Sequence, residues 1–156
     1  MAELKDRLRA DLTAAMKARD TTTVATLRMA LAAVSNEEVS GSAARELLDE
    51  EVRAVLAREA KKRREADEAF SAAGREERAA QERAEGEILA GYLPAQLDDD
   101  ELSRLVAEAV EEVTASLGEP PGQRQMGQVM KAATARTFGR AEGARVAAAV
   151  RAALAA

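Results

Sequence analysis

The chain of 156 residues contains no cysteine and no histidine. Without Cys there is no disulfide scaffold, no thiolate metal site and no Cys nucleophile. Without His the commonest general base, the Ser-His triads and the imidazole metal sites are excluded as well. Aromatic residues make up 2% of the sequence, Ile88 is its sole isoleucine, and proline occurs only at 94, 120 and 121. Strands therefore have little to use. No run approaches the ~18 consecutive apolar residues of a membrane span, and the opening Met1-Ala2-Glu3-Leu4-Lys5 lacks the apolar core of a signal peptide. A cytoplasmic location with no membrane contact is expected.

What is present favours helix. Alanine accounts for 38 residues and charged side chains for 33%, so bulky core must come from 35 residues, chiefly Leu and Val. A chain of ~150 residues can bury roughly two-thirds of its unfolded surface, enough to fold without staples. The reading is all-α. Leu4, Leu8, Leu12 and Met16 recur every fourth residue in a first helix, and Val24, Leu27, Leu31 and Val34 stripe a second, with Thr21 to Thr23 as capping candidates. A third helix near 49–73 carries Val52, Val55, Leu56, Ala66 and Phe70 and stops at Gly74. A fourth, from about Arg75 to Tyr92, places Ala80, Ala84, Ile88 and Tyr92 in line, and a tight Gly turn makes these two an antiparallel hairpin.

After Pro94 the texture changes. Asp98 and Glu101 have capping-box spacing before the stripe Leu102, Leu105, Val106, Ala109, Val110 and Val113. Gly118 to Gly122 breaks it. A sixth helix carries Met126, Val129, Met130 and Ala133 up to Gly139, and a seventh carries Val146, Val150 and Leu154. A boundary near 94–97 divides a four-helix N-terminal domain, 1–94, from a three-helix C-terminal domain, 95–156, in an open multihelical array.

Net charge is −5, but it is unevenly spread. Residues 1–97 hold 16 basic and 19 acidic side chains, 98–121 hold 1 and 8, and 122–156 hold 6 and 1. The last segment is a basic patch on an acidic chain. Arg124, Lys131, Arg136, Arg140 and Arg145 are its candidates for contacting phosphate, with Arg151 nearby in sequence, because Arg meets phosphate in planar, bidentate geometry. The competing reading packs these cations against the chain's own acidic residues 98–119. Phe138, the one aromatic among them, reads as core at least as well as a stacking residue, so nucleic-acid binding would address backbone and shape.

The run Lys61-Lys62-Arg63-Arg64 reads as a solvated face, since Lys61 and Arg64 each precede a glutamate by one turn. Glu59 and Arg63 instead fall on the apolar face of the third helix, one turn apart. A lone charge there is costly to bury, which predicts a structural Glu59–Arg63 ion pair at the helix seam, open to further partners. Asp98 to Glu101 reads as a helix cap rather than a metal site. No phosphate loop, nucleophile elbow, kinase signature or metal-ligand motif occurs, so no catalytic residue, metal or cofactor is assigned.

Three stretches carry a resemblance: Thr26-Leu27-Arg28-Met29-Ala30-Leu31, Lys61 through Gly74-Arg75, and Glu87-Ile88-Leu89-Ala90-Gly91-Tyr92-Leu93-Pro94-Ala95-Gln96-Leu97. With Met126-Gly127-Gln128-Val129-Met130 and Gly139-Arg140-Ala141-Glu142-Gly143, they resemble the YqeY family of small bacterial proteins. The C-terminal elements are similar to the tail domain that this family shares with GatB, a component of aspartyl/glutamyl-tRNA amidotransferase. The resemblance implies a two-part helical fold, a tail that helps hold tRNA, and a family term for carbon-nitrogen ligase activity with glutamine as amide donor. The kinase and transamidation chemistry of that enzyme lies outside the tail. The expectation is a non-catalytic tRNA-associated module, with an amidotransferase or aminoacyl-tRNA synthetase as a possible protein partner. A protein-interaction adaptor is the alternative, and a ligase acting alone ranks last. Leu48 departs from the family's usual Thr before Asp-Glu-Glu, and the Glu119-Pro120-Pro121-Gly122 loop is unusually rigid.

Overall fold

The computed structural model describes residues 2–156 and is all-helical, with no strand among the described residues. Its helices are α1 (Glu3–Ala18), α2 (Thr21–Glu38), α3 (Asp49–Ala72), α4 (Glu76–Ala90), α5 (Asp99–Leu117), α6 (Met126–Thr137) and α7 (Gly143–Ala155), with a 3-10 turn, Gln123–Gln125, leading into α6. The chain divides into two compact units, Met1–Pro94 and Ala95–Ala156, each with its own apolar core.

In the N-terminal unit the core gathers Leu4 and Leu8 of α1, Leu27 and Val34 of α2, Val52 and Leu56 of α3, and Leu89 of α4. Met16 does not join it. It is half exposed, and Ala15 takes the buried position, because the fourfold spacing drifts around a helix of 3.6 residues per turn. The cap of α2 is Asp20 rather than Thr21 to Thr23: its carboxylate accepts from the Thr23 backbone N–H at 3.1 Å and from the Thr23 hydroxyl at 2.6 Å. Both bonds hold the Asp20 carboxyl below its ordinary pKa. At the start of α3, Leu48 has no side-chain oxygen to cap with. Half the box survives, since Glu51 accepts from the Leu48 N–H at 2.8 Å. Arg45 grips the same carboxylate at 2.6 and 2.9 Å, and these bonds, Arg45 first and Leu48 second, bring Glu51 down to about 2.

Gly74, at φ +74°, turns α3 into α4, a left-handed conformation that a side chain would strain. The two helices then run antiparallel: Arg78 stacks on Phe70, Arg83 reaches Asp67 at 2.9 Å, and Glu85 faces Arg63. Of the expected line Ala80, Ala84, Ile88 and Tyr92, Ile88 and Tyr92 pack against the core at partial burial and Ala84 is partly buried, but Ala80 is exposed. Ala79 and Leu89 are the fully buried members of the packed face of α4, with Glu82, Glu85 and Gly86 between them. An apolar stripe could not reveal this face because charged groups occupy its middle. Tyr92, just past α4, donates to Asp11 at 2.5 Å while Arg7 covers its ring, tying the end of the hairpin to α1. Burial, then that bond, raises the Tyr92 pKa, so the phenol remains a donor.

The C-terminal unit is built on α5. Asp98 accepts from the Glu101 N–H at 2.7 Å and Glu101 accepts from the Asp98 N–H at 3.1 Å, a complete capping box. Leu102, Val106, Ala109 and Val113 then bury against Val129 and Ala133 of α6 and Val146 and Val150 of α7. Gly118, at φ +79°, ends α5.

Candidate nucleic-acid interface

The five candidate basic residues of the C-terminal unit, Arg124, Lys131, Arg136, Arg140 and Arg145, fall into two physical classes. Three are engaged within the unit. Arg136 extends from α6 to α5, where it hydrogen bonds Glu112 and lies 3.7 Å from Glu108. Arg140 turns back and donates to the Arg136 carbonyl at 2.7 Å, satisfying one of the oxygens that the end of α6 leaves open. Arg145, near the start of α7, donates to the Leu97 carbonyl at 3.0 Å and to Asp99 at 2.9 Å. The Leu97 N–H in turn donates to the Arg140 carbonyl at 2.7 Å, and Gln96 reaches the Gly139 carbonyl. The turn between α6 and α7 is thereby clipped to the segment entering α5.

Arg124 and Lys131 form the second class. Both are exposed, and neither has an ion-pair or hydrogen-bond partner among the described residues. Their cationic heads are free to meet an external anion. Phe138, which the sequence left open between core and stacking residue, is 56% exposed. It is the residue after α6, at the corner of a turn that the Arg140 N–H closes on the Thr137 carbonyl at 2.8 Å, and it stands outside the core that Val129 and Ala133 supply.

The N-terminal unit holds the other site residues. Arg63 Nη2 lies 3.6 Å from Glu59, as the one-turn spacing suggests, and α4 adds two carboxylates. Arg63 Nε is 3.2 Å from Glu85 and 3.8 Å from Glu82, and each of these side chains is at most about one-fifth exposed. The Arg63 Nε and Glu82 Oε2 atoms are buried without a hydrogen-bond partner, so proximity of charge rather than aligned bonding holds this part together. Lys62 adds a second cation, 3.1 Å from Glu59. With three carboxylates around Arg63, Glu82 has its pKa raised, first by burial and then by Glu85.

That raised pKa sets a direction for stability. A carboxyl that ionises less readily folded than unfolded contributes most below its ordinary pKa of 4.5, and native stability falls as pH rises through the elevated folded value. Glu82→Gln is accordingly expected to raise the melting temperature by a few degrees at pH 7. The gain should vanish below pH ~4, where the wild-type carboxyl is protonated too. Thermal melts of both proteins at the two pH values check this.

At the start of the Lys61–Arg64 run, Lys61 sits 3.9 Å from Glu65. Glu82 and Glu85 are the partners that periodicity missed, 19 and 22 residues from Arg63, whereas Glu108 and Glu112 belong to the acidic segment 98–119 against which the competing reading packs the C-terminal cations. Only the pairing of helices brings them together. No group of His, Cys, Asp or Glu suited to a metal ion occurs among the described residues, and no helix there is long and apolar enough to cross a membrane.

No curated protein matches the chain. The family model for Yqey-like protein matches residues 5–154, which takes in the Arg63 network, the Tyr92-Leu93-Pro94 junction and every basic residue of the C-terminal unit. The chain belongs to the YqeY family.

Proposed function

We propose that this protein is a non-catalytic tRNA-associated module whose C-terminal unit contacts the tRNA backbone. The observation that carries the reading is the charge imbalance of residues 122–156, six basic side chains against one acidic, in a chain that is acidic overall. Arg124 and Lys131 supply exposed cations, while Arg136 and Arg145 share their charge between internal acids and an approaching phosphate, and Arg140, held by the Arg136 carbonyl, lies along the same unit. The resemblance to the tail of the amidotransferase's GatB component supports the choice of tRNA over other polyanions. The N-terminal unit serves as an arm that engages a protein partner, an amidotransferase or an aminoacyl-tRNA synthetase. The chemistry of amide transfer belongs to such a partner, because this chain offers no nucleophile paired with a base.

Bulk tRNA titrated into the full chain at low ionic strength should give saturable binding, largely indifferent to base changes. Absence of saturable binding at low salt removes the proposal. In a glutamine-dependent amidation assay on mischarged tRNA the isolated chain should produce nothing; turnover would establish an enzyme instead.

The exposed Phe138, beside Arg140, favours a second reading, an adaptor for an acidic protein surface. Binding of a protein partner that tRNA fails to displace would favour it.

A further inference from the structure

Between α5 and α6 the C-terminal unit carries an open groove of about 660 Å³. Its polar rim consists of Glu112 and Ser116 from α5 and Gln128, Lys131 and Arg136 from α6. Its apolar lining is Val113 with Ala132 and Ala135. The two alanines create the space: larger side chains at these positions of α6 would fill the gap between the longer polar residues. The donors are those a phosphate group uses, an ammonium, a guanidinium, a hydroxyl and a primary amide. Lys131 has no partner among the described residues. Arg136 has one that obstructs, since Glu112, itself on the rim, holds its guanidinium with Glu108 close behind.

We propose that this groove is a phosphodiester-binding site and that Glu112 acts as its internal competitor, occupying Arg136 until an RNA phosphate displaces it. The inference rests on the tRNA reading for its ligand and adds to it a site and a gate. A phosphate entering the groove meets Lys131 first. It then exchanges with the Glu112 carboxylate at Arg136, so that one charge-assisted contact replaces another and the released glutamate returns to water. Because Glu112 is more than half exposed, its release requires no opening of the core. The exchange makes the intrinsic affinity of the site lower than its cations alone would give. A weak polyanion competitor is thereby excluded, while a ligand that engages several cations at once still binds.

The test compares Glu112→Gln with Glu111→Gln in the full chain. Both remove one negative charge from α5, but Glu111 is exposed and pairs with no cation among the described residues. Binding of bulk tRNA is measured against salt concentration, with helical content confirmed by circular dichroism. Glu112→Gln should tighten binding about tenfold, the effect of freeing one charged hydrogen-bond donor. It should also steepen the slope of log K against log salt by about 1, whereas Glu111→Gln should change affinity by less than about twofold. Adding Lys131→Gln to Glu112→Gln should reverse most of the gain. Equal tightening by both single variants overturns the gate and leaves the tRNA reading standing. No tRNA binding by wild type together with tight binding by Glu112→Gln overturns the gate along with the tRNA reading, since phosphate then never displaces Glu112 in the native chain. No binding by any variant overturns both. Inorganic phosphate provides a separate arm: saturation of Glu112→Gln by millimolar phosphate, equal to its response to tRNA phosphate, would assign the groove to a free anion instead.

Discussion

Arg63→Met is expected to cost the N-terminal unit about 3 kcal/mol, which lowers its melting temperature by on the order of ten degrees. Methionine keeps much of the side-chain volume, so the loss is not one of packing. It arises because Glu59, Glu82 and Glu85 all face the place that Arg63 vacates, and each is at most about one-fifth exposed. Removing one partner from a buried charge cluster is far more damaging than replacing the whole cluster, since the orphaned carboxylates keep their desolvation penalty and repel each other. Lys62 offers only partial relief, as its ammonium contacts Glu59 from a largely exposed position. Glu85→Gln added to Arg63→Met should therefore restore part of the loss, the opposite of ordinary additivity. Chemical denaturation of the two variants measures both effects. A cost under about 0.5 kcal/mol for Arg63→Met would mean that solvent screens the network like any surface pair.

Arg124→Gln combined with Lys131→Gln is expected to weaken tRNA binding at least about tenfold at low salt and to flatten the salt slope by about 2, one counterion equivalent per lost contact. These two positions, rather than Arg136, Arg140 and Arg145, give the clean test of function. Arg145 clips α7 to the entry of α5, and Arg140 closes the end of α6. Charge reversal there would disturb the fold along with any ligand contact, so lost binding would be ambiguous. Arg124 and Lys131 carry no such duty. Their substitution should leave helical content and melting temperature unchanged, and affinity measured at two ionic strengths reads the effect.

The helices are legible in the sequence because Ala, Leu and Glu dominate and because Gly and Pro punctuate the chain at 74, 94 and 118–122. Within them, stripes made of Leu and Val mark the buried face, as in α5, where Leu102, Val106, Ala109 and Val113 bury as a set. Stripes made of Ala do not. Alanine marks a face only weakly, and in α4 the helix turns Ala79 and a pair of glutamates inward while Ala80 stays in water. The Glu59–Arg63 proximity follows from one-turn spacing, yet its completion by Glu82 and Glu85 depends on how the hairpin aligns α3 with α4. The candidate interface shows the same limit. Counting charges locates the basic segment, but which cations remain free is decided by contacts of Arg136 and Arg145 with residues 24 to 48 positions away. No local spacing encodes those.

The most direct test of the tRNA interface is a map of backbone amide shifts in the full chain as tRNA is added at low salt. The largest changes should fall on the 3-10 turn and α6, at Arg124, Gln128 and Lys131, with further changes in α5 around Glu112 and Ser116. Changes confined to α3 around residues 61–64, with the C-terminal unit silent, would contradict a C-terminal tRNA interface.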